Sequence, residues 1–272
     1  MKRWMGIGIV CPIPVIDWHS RGGFPNTVGD WSREGPREGR RKDAVELFNF
    51  VVTEGALTDA ERYVPALRKL GVSVADLQRL RIAITEVSGT RRGVLEVRAG
   101  TPSLALRPLA PAPSEITVDT LPIRDERLEP GTFGPDVGWQ QSQLAQLGAH
   151  EGLLVDASSR VISAIMYPLL VVEPGRVRVS SHPDTARSIA LESVLDLLSH
   201  QGVEIVEEPR GFDRGELMDR EVWVIDPVYG ARLVDTWIEY GTKRPARLLF
   251  DRAGVPSHRE VNEVRRRSAA TV

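Results

Sequence analysis

Cysteine is almost absent: Cys11 is the single thiol in 272 residues, which excludes an internal disulfide and a zinc site built on paired cysteines. Lysine is nearly as scarce. Lys2, Lys42, Lys69 and Lys243 leave 31 arginines among the 35 cationic side chains, and no lysine stands between Lys69 and Lys243. Neither sign of charge dominates, since the formal net charge is -2, so no global field draws the chain to nucleic acid or to an anionic membrane. Long hydrophobic runs are missing too. The longest, 164–172, is interrupted by Pro168 and falls well short of the roughly 20 residues a membrane span needs. The opening Met1-Lys2-Arg3 precedes an apolar stretch that Pro12 and Pro14 soon break, so it predicts a first strand and not a signal peptide. Together these absences predict a soluble, cytoplasmic protein in a reducing compartment.

What is present is 42% hydrophobic and 26% charged residues, enough for one large core or two modest ones. Residues 22–41 are rich in glycine, proline and charge and predict a long surface loop or a lid. Residues 45–52 alternate as a strand. Thr58 with Glu61 has the spacing of a capping box, followed by Tyr63, Ala66, Leu67 and Leu70 at helical spacing until Gly71. Ser73 and Asp76 open a second helix with Val74, Leu77, Leu80 and Ile84 on one face. Strands at 94–97, 104–106 and 116–118 complete a first α+β unit, and the charged, proline-bounded stretch 121–134 predicts a domain boundary, placing one domain at 1–125 and another at 126–272. In the second half the pattern predicts a helix at 136–147, strands at 152–156 and 160–164, and a hairpin of 169–172 with 177–179. An amphipathic helix follows at 184–200, then strands at 203–206 and 222–225 around a short helix at 213–219. The tail Arg265-Arg266-Arg267 predicts a solvated helix end.

The string from Gly148-Ala149-His150-Glu151-Gly152-Leu153-Leu154-Val155-Asp156 through Val161-Ile162, Pro183-Asp184-Thr185-Ala186-Arg187, Leu191-Glu192 and Val222-Trp223-Val224-Ile225-Asp226 resembles the large domain of fold-type IV pyridoxal-phosphate (PLP) enzymes. That group includes branched-chain and D-amino acid aminotransferases and aminodeoxychorismate lyase. The resemblance implies an α/β (α+β) architecture of two domains, a small α/β domain and a larger pseudo-barrel domain, with a cofactor cleft between them and a homodimer.

The departures from that family bear on chemistry. Where the resemblance implies the Schiff-base lysine, in the segment Thr132-Phe133-Gly134-Pro135-Asp136, this chain has Phe133, and a phenyl ring has no amine to condense with an aldehyde. The glutamate implied beside the pyridine nitrogen aligns with Ser163, and the threonine of the phosphate cup with Ala186. Arg62 and Arg187 match the anion-binding positions and remain. The resemblance with these replacements implies a cleft without PLP, put to use by a lyase, isomerase or cyclase. Its substrate is expected to be an anionic, carboxylated small molecule or an unsaturated one such as a polyene, in bacterial natural-product biosynthesis. A non-catalytic partner subunit or regulator is one alternative, and a true PLP aminotransferase or lyase served by another lysine is a second.

Candidate substrate-binding residues are Arg62, Phe133, Ser163, Ala186 and Arg187, and candidate catalytic residues are Asp226, Tyr229 and Tyr167. Asp226 fits a general acid or base of raised pKa, or equally a cap for the turn at Pro227; Tyr167 before Pro168 fits a core position as well as a catalytic one. If the chain is an enzyme, Arg62, Arg187, Asp226 and Tyr229 are expected to converge on one cavity. The histidines, His19, His150, His182, His200 and His258, form no metal-ligand motif, and no metal is expected. Met5-Gly6-Ile7-Gly8 lacks the third glycine of a dinucleotide fingerprint.

Overall fold

The structure, a computed structural model, describes residues 45–271. The strand expected near residue 5 and the loop or lid at 22–41 lie outside the described residues. Alternation of apolar side chains builds the first sheet from β1 (Val45–Thr53), β2 (Ala56–Leu57), β3 (Thr90–Arg98) and β4 (Thr101–Pro108), in the order β2-β1-β3-β4. Phe50, Val52, Leu95 and Val97 turn one face of that sheet to helices α1 (Ala60–Lys69) and α2 (Val74–Thr85), where they bury against Tyr63, Leu67 and Ile84. The other face carries Asn49 of β1, which is buried, and Arg92 of β3.

Near-continuous apolar runs build the second sheet, because its middle strands are covered on both faces. Its strands are β5 (Glu115–Arg124), β6 (Glu151–Val155), β7 (Val161–Ala164), β8 (Leu169–Glu173), β9 (Arg176–Ser180), β10 (Glu204–Glu208), β11 (Glu221–Asp226), β12 (Gly230–Glu239) and β13 (Thr242–Pro245). They follow the order β10-β9-β8-β11-β12-β5-β6-β7, with β13 paired to β12. Every residue of β6, β7, β8 and β11 is buried. One face packs on α4 (Ile189–His200) and α6 (His258–Arg267), through Leu191, Val194, Leu198 and Val261. The other closes over Trp237, Phe212 and Leu217, the last on α5 (Arg214–Met218). Helix α3 (Val137–Ala145) covers Ile162 and Ile165 through Trp139 and Leu144.

The two sheets are stitched together. Leu47 N–H donates to Phe133 O at 2.9 Å, and Gly134, at φ 141, lies so close to Val45 O that a Cβ would collide with it. At the C-terminus Leu57 and Ala270 exchange backbone hydrogen bonds of 2.8 and 3.1 Å.

Several local expectations are corrected. The 116–118 strand, grouped by sequence with the first unit, belongs as β5 to the large sheet, between β12 and β6. Helix α4 begins at Ile189 and not at 184, because Ser188 is extended and its hydroxyl caps the Leu191 N–H. The Thr58 capping box does not form. Asp59 is the N-cap of α1, in a left-handed conformation at φ 61, and its carboxylate is taken up by Ser193 and Arg265. Val74 faces solvent, and Arg265, expected on a solvated helix end, is buried against Asp59.

Candidate functional site

A cavity of about 280 Å³ opens between β1 and α1 on one side and the 131–133 segment, the turn after β7 and the start of α4 on the other. Four of the eight residues singled out from sequence line it: Phe133, Tyr167, Ala186 and Arg187. Phe133 and Tyr167 stack with ring centroids 6.0 Å apart and form an aromatic floor that Met166 and Pro168 extend. The backbone bond from Leu47 to Phe133 O fixes the floor to β1.

The other four do not line the cavity, and each has a local reason. Arg62 turns out of the α1 face that Tyr63, Ala66 and Leu70 present to the cleft, and pairs with Asp196 of α4. Ser163 is buried in β7 and donates its hydroxyl to Ala164 O at 2.8 Å. Asp226 is buried one residue before the lining Pro227; its Oδ1 accepts the Val228 and Tyr229 N–H groups at 2.8 and 3.2 Å, the capping arrangement of a tight turn. Tyr229 donates its hydroxyl to Ala110 O at 2.8 Å and lies under the Arg232 guanidinium. The expected convergence of Arg62, Arg187, Asp226 and Tyr229 is therefore replaced by Arg187 alone. Arg187 itself is neutralised, by Glu192 at 2.6 Å and Glu207 at 2.9 Å.

Sequence reasoning passed over four groups at the site. Lys69 lines the cleft from the last turn of α1 and is exposed there. Asn49 lines it from β1 and holds Arg92, whose Nη2 donates to Asn49 Oδ1 at 2.8 Å. Glu151 lies behind the floor, where its Oε2 accepts the Met166 N–H at 3.2 Å. A glutamate opening an otherwise apolar strand, Glu151-Gly152-Leu153-Leu154, was its one legible signal.

Burial governs the electrostatics behind the floor. Desolvation, with the Asp226 charge adding to it, pushes the Glu151 carboxyl up to about 8, so it is protonated at neutral pH. Burial also raises Asp226, against the Val228 and Tyr229 amides and the cations Arg232 and Arg92. The Tyr167 phenol is raised by burial first and by Asp226 and Glu151 second. The phenol in the floor and the two carboxyls behind it are thus biased toward their protonated forms. Among the described residues no cluster of His, Cys, Asp or Glu is arranged to hold a metal ion, and no helix is long and apolar enough to cross a membrane.

No protein-family model and no curated protein matches the sequence. Solved structures do match the fold. The chain is similar to 4-amino-4-deoxychorismate lyase from Pseudomonas aeruginosa, at 17% identity and a TM-score of 0.61, over 84% of this chain and 91% of that one. It is similar to a hypothetical aminotransferase from Mycobacterium tuberculosis with alpha-ketoglutarate and PMP bound, at 15% identity and a TM-score of 0.62, over 83% and 88%. A fold IV transaminase from Curtobacterium pusillum matches at 15% identity and a TM-score of 0.54, over 80% and 85%. With its four-stranded sheet on one side of the cleft and its curled nine-stranded sheet on the other, the chain has the mixed α/β fold of the fold-type IV pyridoxal-phosphate enzymes.

Proposed function

We propose that the cleft is the reaction chamber of a lyase, isomerase or cyclase that works without PLP, on an unsaturated or carboxylated small molecule. The observation that carries this reading is the floor: at the position where the family resemblance implies an amine, Phe133 is stacked on Tyr167. The residues present do not fit the cofactor in other respects. The cleft's primary amine, Lys69, stands exposed on the opposite wall, on α1. Arg62 and Arg187, which a phosphate would need, are tied to Asp196, Glu192 and Glu207. Asp226 and Glu151 lie behind the floor and do not line the cleft.

The chemistry such a chamber supports is directed by shape and hydrogen bonding. Its floor offers a flat apolar surface to an unsaturated substrate, and Asn49, Lys69 and Arg187 on its walls offer polar contacts. Tyr167, with its pKa raised by burial, retains its proton at neutral pH and is a hydrogen-bond donor to the substrate. Rearrangement, elimination or ring closure of an unsaturated substrate held in one conformation fits this arrangement. That the cavity is open, and not filled by side chains, favours an enzyme over a pseudo-subunit. A role in bacterial natural-product biosynthesis and a homodimeric assembly are parts of the same proposal; the preponderance of arginine over lysine, 31 to 4, suits a high-GC bacterium.

The test is to incubate the purified protein with excess PLP, record the visible spectrum, reduce with borohydride and measure intact mass. A colourless protein of unchanged mass is expected. A visible band together with a trapped mass increase, mapped to Lys69 or any other lysine, overturns the reading and restores a PLP enzyme.

A further inference from the structure

The cations that line the cleft are taken up by carboxylates or by solvent: Arg187 is held by Glu192 and Glu207, and Lys69 stands exposed on α1. Two neutral donors remain. Asn49 lines the cleft from β1 although its residue is only 6% exposed. Its orientation is fixed, because Arg92 Nη2 donates to its Oδ1 at 2.8 Å and only the acceptor end of the amide can face an arginine. The NH₂ end has no hydrogen-bond partner among the described residues, and it is not sealed inside the protein as Arg92 Nε is. The Tyr167 hydroxyl is in the same state. Its ring is stacked on Phe133 in the floor, no described residue hydrogen-bonds to the hydroxyl, and it too is open to the cleft. The guanidinium that holds Asn49 also acts electrostatically on the Tyr167 phenol, so the amide and the phenol border the same part of the cleft.

Neutral donors suit a neutral acceptor. A carbonyl oxygen carries two lone pairs and can take one hydrogen bond from each donor, whereas a carboxylate would call for a free cation beside it. Arg92 also strengthens the amide, because a hydrogen bond accepted at Oδ1 polarises the Nδ2–H bonds at the other end. We propose that Asn49 Nδ2 and the Tyr167 hydroxyl together bind the carbonyl oxygen of an uncharged conjugated ketone, whose apolar body rests on Phe133 and Met166. This deepens the reading of the cleft as a substrate chamber and rests on it, choosing the unsaturated substrate over the carboxylated one. Two hydrogen bonds to that oxygen draw electron density out of the conjugated double bond, which is the activation that isomerisation or ring closure of such a ketone needs.

4-Phenyl-3-buten-2-one and the isosteric diene with CH₂ in place of its oxygen, each titrated into the full-length protein, test the proposal. The wild type is expected to bind the ketone, and difference infrared spectroscopy to find the bound carbonyl stretch below its frequency in a hydrocarbon solvent. Asn49→Asp keeps an acceptor for Arg92 but turns the amide donor into an acceptor, and Tyr167→Phe keeps the stack on Phe133 but removes the hydroxyl. Each is expected to weaken ketone binding about fivefold, the effect of one neutral hydrogen bond, and to move the stretch back toward its hydrocarbon value. Binding of the diene is expected to be the same in all three proteins. Should either variant fail to fold, the stretch in the wild type decides. A bound ketone with an unshifted stretch, or ketone affinity unchanged by both substitutions, overturns the assignment to Asn49 and Tyr167 but leaves the chamber reading standing. Binding of neither probe overturns both.

Discussion

Glu151 and His258 are both buried, and burial acts on their stability contributions from opposite ends of the pH scale. Glu151 has its folded pKa raised to about 8 from an ordinary value of 4.5. The unfolded chain therefore releases its proton first, and stability falls as pH rises from about 4.5 through about 8. Glu151→Gln keeps an acceptor for the Met166 N–H and is expected to raise stability at pH 8.5 by about 2 kcal/mol, with no gain at pH 4.5, as read from thermal unfolding at the two values. His258 has its pKa lowered, by burial first and by the neighbouring Arg259 second, and neither ring nitrogen has a hydrogen-bond partner. Its neutral form is the native one, so stability is lost as pH falls through its unfolded value near 6.5 toward the lower folded value. His258→Phe preserves the edge contact with Trp223 and is expected to stabilise the protein by about 1 kcal/mol at pH 5.5 and to change little at pH 7.5. The sequence signalled the first burial only by setting Glu151 at the head of an apolar strand, and gave no such sign for His258.

Helix α6 shows how one element draws on distant chain. Its capping box of Ser257 and Glu260 is local and sets where the helix starts. What it holds is not local: Asn262 exchanges hydrogen bonds of 2.7 and 2.8 Å with the backbone of Ala231, and Arg265 Nη2 reaches Asp59 Oδ2 at 2.5 Å. Asp59 also accepts the Ser193 hydroxyl at 2.6 Å, so α1, α4 and α6 meet on one carboxylate. Arg265→Met would leave that carboxylate buried with a single donor, and urea unfolding is expected to show a loss of about 3–5 kcal/mol. Arg267→Met, which breaks an exposed pair with Glu263, is expected to leave the urea midpoint unchanged in the same assay. The arginine triplet was legible as a helix end. Which of the three is buried depends on a partner 206 residues away.

At the scale of the whole molecule, the stitches between the sheets predict a shared opening. Leu47 with Phe133, Leu57 with Ala270 and Arg265 with Asp59 cross from the four-stranded sheet to the rest of the fold. Native-state hydrogen exchange is expected to give the slowest amides of β1 and β3 the same opening free energy as those of β8 and β11. A value more than about 2 kcal/mol lower on β1 and β3 would show that the small sheet opens alone.

The sequence by itself determined most of the elements, because apolar periodicity and capping are local: α2 begins at Ser73, the hairpin turns at Pro174-Gly175, and buried β6, β8 and β11 read as unbroken apolar runs. Phe133 and Tyr167 were each singled out from the sequence, but that they stack into one floor came from the tertiary structure. Strands β12 and β13 and the membership of β5 in the large sheet came only from long-range pairing, which periodicity does not encode. The charge state of the cleft was likewise decided by tertiary structure. Whether an arginine offers a free guanidinium or a neutralised one depends on which carboxylates the fold brings within about 4 Å of it, and here that withdrew Arg62 and Arg187.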